Sequence, residues 1–86
     1  MNLKKAETLS RELLEILKPH CQEVKIVGSI AQQKLYPRDI DIVYKTQNES
    51  AMLDALDKVT YQKSLFPNLI VWYKGEIVDL FADGQK

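Results

Sequence analysis

The segment Glu76-Ile77-Val78-Asp79-Leu80-Phe81 sets the tightest limit on how this chain can fold. Both faces of a strand running from Ile77 to Phe81 are apolar, the pattern of a central strand rather than an edge. Within that apolar run stands one carboxylic acid, Asp79. Burying it ionised costs roughly several kcal/mol unless it is ion-paired or bound to a metal. Two explanations remain open: a lysine or arginine reaching in from a neighbouring strand, or a site shared with other acids.

Other acids are at hand. Asp39-Ile40-Asp41-Ile42-Val43-Tyr44 is predicted to be a strand, and side chains two apart on a strand share a face. Asp39 and Asp41 then point one way while Ile40 and Ile42 point into the core. Paired carboxylates repel unless a cation compensates, and magnesium and manganese prefer such oxygen ligands. An isolated Asp-x-Asp is more often a solvated pair at a strand's start. Asp79 changes that balance, because three carboxylates can hold two divalent ions roughly 3.5–4 Å apart.

The remaining elements follow from periodicity. Leu3, Ala6, Leu9, Leu13, Ile16 and Leu17 recur at helical spacing, opposite Lys5, Glu7, Arg11 and Glu15, and Pro19 ends that helix. Val24 to Val27 reads as a short strand stopping at Gly28-Ser29, and residues 29 to 34 as a brief helical turn. Leu35-Tyr36-Pro37-Arg38 is a connector. Thr46 to Glu49 matches a capping box, ahead of a helix with Met52, Leu53, Leu56 and Val59 on its buried stripe. Residues 60 to 66 suggest an edge strand. Leu69–Tyr73 and Glu76–Phe81 form a hairpin around Lys74-Gly75. Trp72 and Tyr73 alternate, so one lies in the core and the other on the surface. The expected architecture is α+β: an α-β-α-β-α-β-β order with helices packed on a small mixed sheet.

Length and charge narrow the function. The 86 residues allow a single domain, 1–86. Lysine plus arginine equals aspartate plus glutamate, 12 each, so the general basic footprint of a nucleic-acid binder is lacking and any grip on phosphates must be local or metal-mediated. The single cysteine, Cys21, rules out an internal disulfide and a cysteine-rich zinc site. It reads as a half-buried residue of the turn after the first helix, since a catalytic thiol needs an activating base and the one histidine, His20, is its chain neighbour. Apolar runs are too short to span a membrane, and the N-terminal residues lack the apolar core of a signal peptide. A reducing, cytoplasmic setting without membrane contact is expected.

Gly28-Ser29 leaves a strand and enters a turn eleven residues before Asp39. Glycine allows close approach of a ligand to the backbone, exposed amides attract phosphate, and Ser29 adds a hydroxyl. Together the stretch from Val24 through Gly28-Ser29 to Asp39-Ile40-Asp41, followed by Asp79, resembles the signature of DNA polymerase beta-like (family X) nucleotidyltransferases. The resemblance covers nearly the whole chain. It implies a small nucleotidyltransferase-type domain in which Asp39, Asp41 and Asp79 bind two magnesium or manganese ions. Asp79 would also help activate the attacking hydroxyl, and Gly28 and Ser29 would hold the terminal phosphates.

One departure stands out. Where the family carries Arg-Arg after Gly-Ser-x, this chain has Ala31 and Gln32. Gln32 brings hydrogen bonds without charge, and Lys34 or Arg38 would supply cations from the same loop. Minimal members, including antitoxins of toxin–antitoxin pairs, carry Gly-Ser-x-Ala-Arg-Gly; Ala31 fits that pattern, while the missing Arg-Gly and the eleven-residue spacing do not. Tyr36 is the expected base contact. The implied reaction moves a nucleoside monophosphate from a nucleoside triphosphate to a hydroxyl of a nucleic acid, a protein or a small molecule. The alternative is a catalytically impaired domain that binds a nucleotide, nucleic acid or partner protein, including in an antitoxin-like role. A small core and an unpaired edge beside the Ile77–Phe81 strand suggest a homodimer or a helical partner chain.

Overall fold

A computed structural model of the chain describes residues 1–64 and 68–83. Helix α1, Leu3–Leu17, opens at Asn2, whose side-chain oxygen accepts from the Lys5 amide at 2.8 Å. It buries Ala6, Leu9, Leu13 and Leu17. Proline at position 19 stops the α-helix, and the chain tightens into a 3₁₀ turn over Lys18–His20. Helix α2, Glu49–Asp57, is shorter than its periodicity suggests. Its cap is Asn48, which accepts from the Ala51 amide at 3.1 Å, rather than Thr46. The Thr46 hydroxyl instead accepts from the Asn48 amide and donates to the His20 carbonyl. At the other end Thr60 donates to the Leu56 carbonyl at 2.8 Å, and Val59 falls past the helix, 42% exposed rather than on its buried stripe.

The five strands are β1 (Glu23–Val27), β2 (Ile40–Lys45), β3 (Tyr61–Ser64), β4 (Leu69–Tyr73) and β5 (Glu76–Ala82). They form one mixed sheet in the order β1-β2-β5-β4-β3. The expected edge strand exists as β3; residues 65 and 66 lie outside the described residues. β5 is central, as its apolar faces require, hydrogen-bonded to β2 in parallel and to β4 antiparallel. No unpaired edge adjoins it, because the edges are β1 and β3. The segment expected as a short helix after β1 is a hydrogen-bonded turn instead.

One alternate set of strand residues builds the core. Ile40, Ile42 and Tyr44, Val78 and Leu80, Leu69, Val71 and Tyr73 join α1 and α2 in a single apolar cluster. The other set, including Asp41, Val43, Ile70, Trp72, Ile77, Asp79 and Phe81, is half-buried or exposed. Both helices therefore cover one face of the sheet, and the opposite face carries no helix among the described residues. Tyr73 is the core member of the aromatic pair, 4% exposed, and Trp72 the surface one. No described helix is long and apolar enough to cross a membrane.

Candidate functional site

The parallel pairing of β2 with β5 sets Asp41 directly opposite Asp79. Residues opposite each other on neighbouring strands share a face, and the strands run about 4.8 Å apart. Two half-buried carboxylates thus stand side by side on the helix-free face. In the sheet register Ile70 is opposite Asp79 on the other side, and Val43 and Phe81 form the next pair along that face. Ile40 and Ile42, the intervening residues of β2, are fully buried on the helical face. Asp39 precedes β2, which begins at Ile40, and is half-buried. Among the described residues no group of three His, Cys, Asp or Glu side chains stands gathered to hold a metal ion. The register therefore assembles a pair of acids, with Asp39 at the strand's entrance rather than in a ready-made cluster of three.

Gly28 completes this corner. Val27 pairs with Asp41 across β1 and β2, so the residue after it passes the Asp41 side chain. Gly28 has φ +74°, and a β-carbon placed on it would lie 2.5 Å from Asp41 Oδ2. Only glycine allows both the left-handed backbone and this approach. From there the chain closes a tight turn: the Gln32 amide donates to the Gly28 carbonyl, Gln33 to Ile30 and Lys34 to Ser29, at 3.0–3.1 Å. Among the described residues the amides of Ser29, Ile30 and Ala31 donate to no backbone carbonyl. Gln33 ends the turn at φ +58°, a left-handed conformation that sequence inspection passes over because the residue is not glycine.

The other expected site residues sit on this turn and the connector after it. Ser29 is half-buried; Gln32, Lys34 and Arg38 are exposed, and neither Lys34 nor Arg38 forms an ion pair among the described residues. Leu35 and Tyr36 are 73% and 78% exposed, on backbone tied down by the Leu3 amide bonding to the Leu35 carbonyl and by the burial of Pro37. On the opposite side of the turn from Asp41, a groove of about 310 Å³ runs between the turn and α1. Its floor includes Leu14 and Ile26, and Ala31 and Gln33 form part of its wall.

Cys21 is half-buried in the turn after the first helices, and burial pushes its thiol above the usual range. That disfavours the thiolate a nucleophile needs. The sequence matches no protein-family model and no curated protein.

Proposed function

We propose that this chain is a small nucleotidyltransferase-type domain that binds a nucleoside triphosphate with magnesium or manganese and transfers the nucleoside monophosphate to a hydroxyl. The observation that carries this reading is the meeting of Asp41, Asp79 and Gly28 at one corner of the sheet. An Asp-x-Asp strand beside a central strand bearing a third acid, reached through Gly-Ser, is the arrangement the resemblance implies. Gln33 adds support: the minimal members of that family have glycine at this place in the motif, and here the backbone is left-handed although the side chain is glutamine.

Each residue has a part in that chemistry. Asp41 and Asp79 would hold the ion, since magnesium takes one or two protein carboxylates and completes its shell with phosphate oxygens and water. Among the described residues no third acid is gathered with this pair, which suits an ion that arrives with the nucleotide. When bound, the ion would neutralise phosphate charge and favour deprotonation of the attacking hydroxyl. Asp39, at the entrance of β2, would add a further carboxylate to an ion held there. Ser29 and the amides of Ser29, Ile30 and Ala31 would take the phosphates. The exposed Tyr36 is offered to the base.

A second reading has one observation in its favour. Ala31 and Gln32 are both exposed at the places where the family's arginines stand, which leaves the phosphate side weakly charged. The domain would then bind nucleotide, nucleic acid or a partner protein without turnover. Incubation with labelled nucleoside triphosphates, manganese and nucleic-acid or protein acceptors separates the two. Label transfer abolished by Asp41→Asn supports the enzyme; metal-dependent binding without transfer supports nucleotide binding under the second reading; neither binding nor transfer defeats the enzyme and nucleotide binding alike.

A further inference from the structure

The helix-free face carries an aromatic pair with no part in the chemistry above. Trp72 and Tyr61 are direct partners across β4 and β3. Trp72 stands between Val71 and Tyr73, both buried in the core beneath the helices, so it and its partner point to the face that bears Asp41 and Asp79. Both rings remain open to solvent, with Trp72 37% exposed and Tyr61 83%. The pair lies close to the acids. Ile70 is opposite Asp79, and Trp72 is two residues further along β4, which sets the Trp72 backbone about 8 Å from that of Asp79 and Tyr61 one strand beyond. Ile70 and Ile77 are the other two corners of that square, half-buried and uncharged.

We propose that Trp72 and Tyr61 form the acceptor subsite: the terminal base of a single-stranded nucleic acid stacks on the pair and brings its 3′-hydroxyl over Asp79. This inference rests on the nucleotidyltransferase reading above. Gly28 and Ser29, which would hold the leaving pyrophosphate, lie beyond Asp41 on the β1 side, whereas β4 and β3 lie beyond Asp79 on the other. In such a displacement the attacking and leaving oxygens are roughly in line, so the acceptor approaches from the β4–β3 side. There its hydroxyl oxygen bonds to the α-phosphorus, the bond from that phosphorus to the bridging oxygen breaks, pyrophosphate leaves towards Gly28, and the hydroxyl proton passes to water. A ribose and its base span the step from Asp79 to Trp72, and a flat, uncharged base suits aromatic rings bordered by isoleucines. The chain's zero net charge gives a nucleic-acid strand little electrostatic pull, so stacking on the rings supplies the hold. An unpaired base can lay its face on the sheet, which a base held within a duplex cannot do without leaving its stack.

Trp72 is the chain's one tryptophan, so its fluorescence reports on the subsite directly. Titrating the full chain, with magnesium present, with a short single-stranded oligonucleotide should quench that fluorescence, and a blunt duplex of the same sequence should not. With a labelled oligonucleotide, Tyr61→Ala and Trp72→Ala should each weaken binding about five- to a hundredfold, Trp72→Phe should keep most of the affinity, and added salt should change it little. Isothermal titration of the parent and of Asp41→Asn with magnesium-ATP runs alongside. If the oligonucleotide leaves Trp72 fluorescence unchanged, or Tyr61→Ala binds it like the parent, the acceptor assignment is overturned, while magnesium-ATP binding lost in Asp41→Asn keeps the reading of the acids. Equal quenching by the duplex, or label transfer to protein acceptors alone, overturns the assignment as well. If the parent binds no magnesium-ATP, the nucleotidyltransferase reading fails and the acceptor role with it. Should Trp72→Ala fold poorly, Tyr61→Ala decides, since Tyr61 is exposed on an edge strand.

Discussion

Replacing Gly28 with alanine probes the corner where turn and acid meet, and Gly75 supplies an internal control. Both glycines are left-handed, with φ +74° at Gly28 and +83° at Gly75, so alanine at either site carries a backbone cost of about 1–2 kcal/mol. They differ in what a β-carbon meets. At Gly75 nothing lies within 4 Å; at Gly28 the Asp41 carboxylate oxygen lies at 2.5 Å, closer than any real contact. Overpacking of this kind adds about 1–3 kcal/mol. Gly28→Ala should therefore exceed Gly75→Ala by that amount, a further fall in Tm of about 4–24 °C for a domain of this size.

Asp41→Ala removes the obstructing atoms and leaves the Asp41 β-carbon at an ordinary 3.4 Å. In that background the two glycine substitutions should cost the same, so a double-mutant cycle isolates the contact. Urea unfolding of the two single glycine variants, the Asp41→Ala variant and both doubles supplies the numbers. Equal costs for Gly28→Ala and Gly75→Ala in the parent, within about 0.5 kcal/mol, would refute the close approach. The assembly of the proposed site would then lose its main geometric support.

Gln33→Gly should be neutral or stabilising by up to about 1 kcal/mol, because relief at φ +58° outweighs the entropy that glycine loses on folding; a clear loss in urea midpoint contradicts the left-handed turn. Magnesium with ATP at a hundred times its Kd should stabilise the fold by about 2.7 kcal/mol through linkage, and Asp79→Asn should remove most of the shift in a thermal melt. Acid titration tests the tie between α1 and the β4–β5 hairpin. There the Tyr73 hydroxyl, at 2.6 Å, and then the Lys74 ammonium, at 2.9 Å, hold the Glu12 carboxyl below its ordinary 4.5. A folded value below the unfolded one means this stabilisation is complete above pH 4.5 and is lost as pH falls through the folded value, so the urea midpoints of parent and Glu12→Gln should converge there.

Local periodicity made much of the fold legible. The spacing of Ala6, Leu9, Leu13 and Leu17 specifies a helix and its buried stripe, and the two-sided apolar character of Ile77–Phe81 specifies a central strand. Alternation alone put Ile40 and Ile42 in the core with Asp41 on the other face, and separated Tyr73 from Trp72. Competing local signals were harder to weigh. Thr46 and Asn48 are both good caps, and Asn48 took the role once Thr46 was drawn to the His20 carbonyl across the chain.

The site itself waited on tertiary structure. A strand's pattern fixes which face a side chain occupies, yet sliding β5 by two residues along β2 would keep every face and displace Asp79 by about 6.6 Å along the strand, out of line with Asp41. Their register comes from the backbone hydrogen bonds and packing of the whole sheet, which no short segment contains. The same holds for the turn: Gly28 announces freedom in the sequence, but that the freedom is used to admit the Asp41 carboxylate follows only from the pairing of β1 with β2.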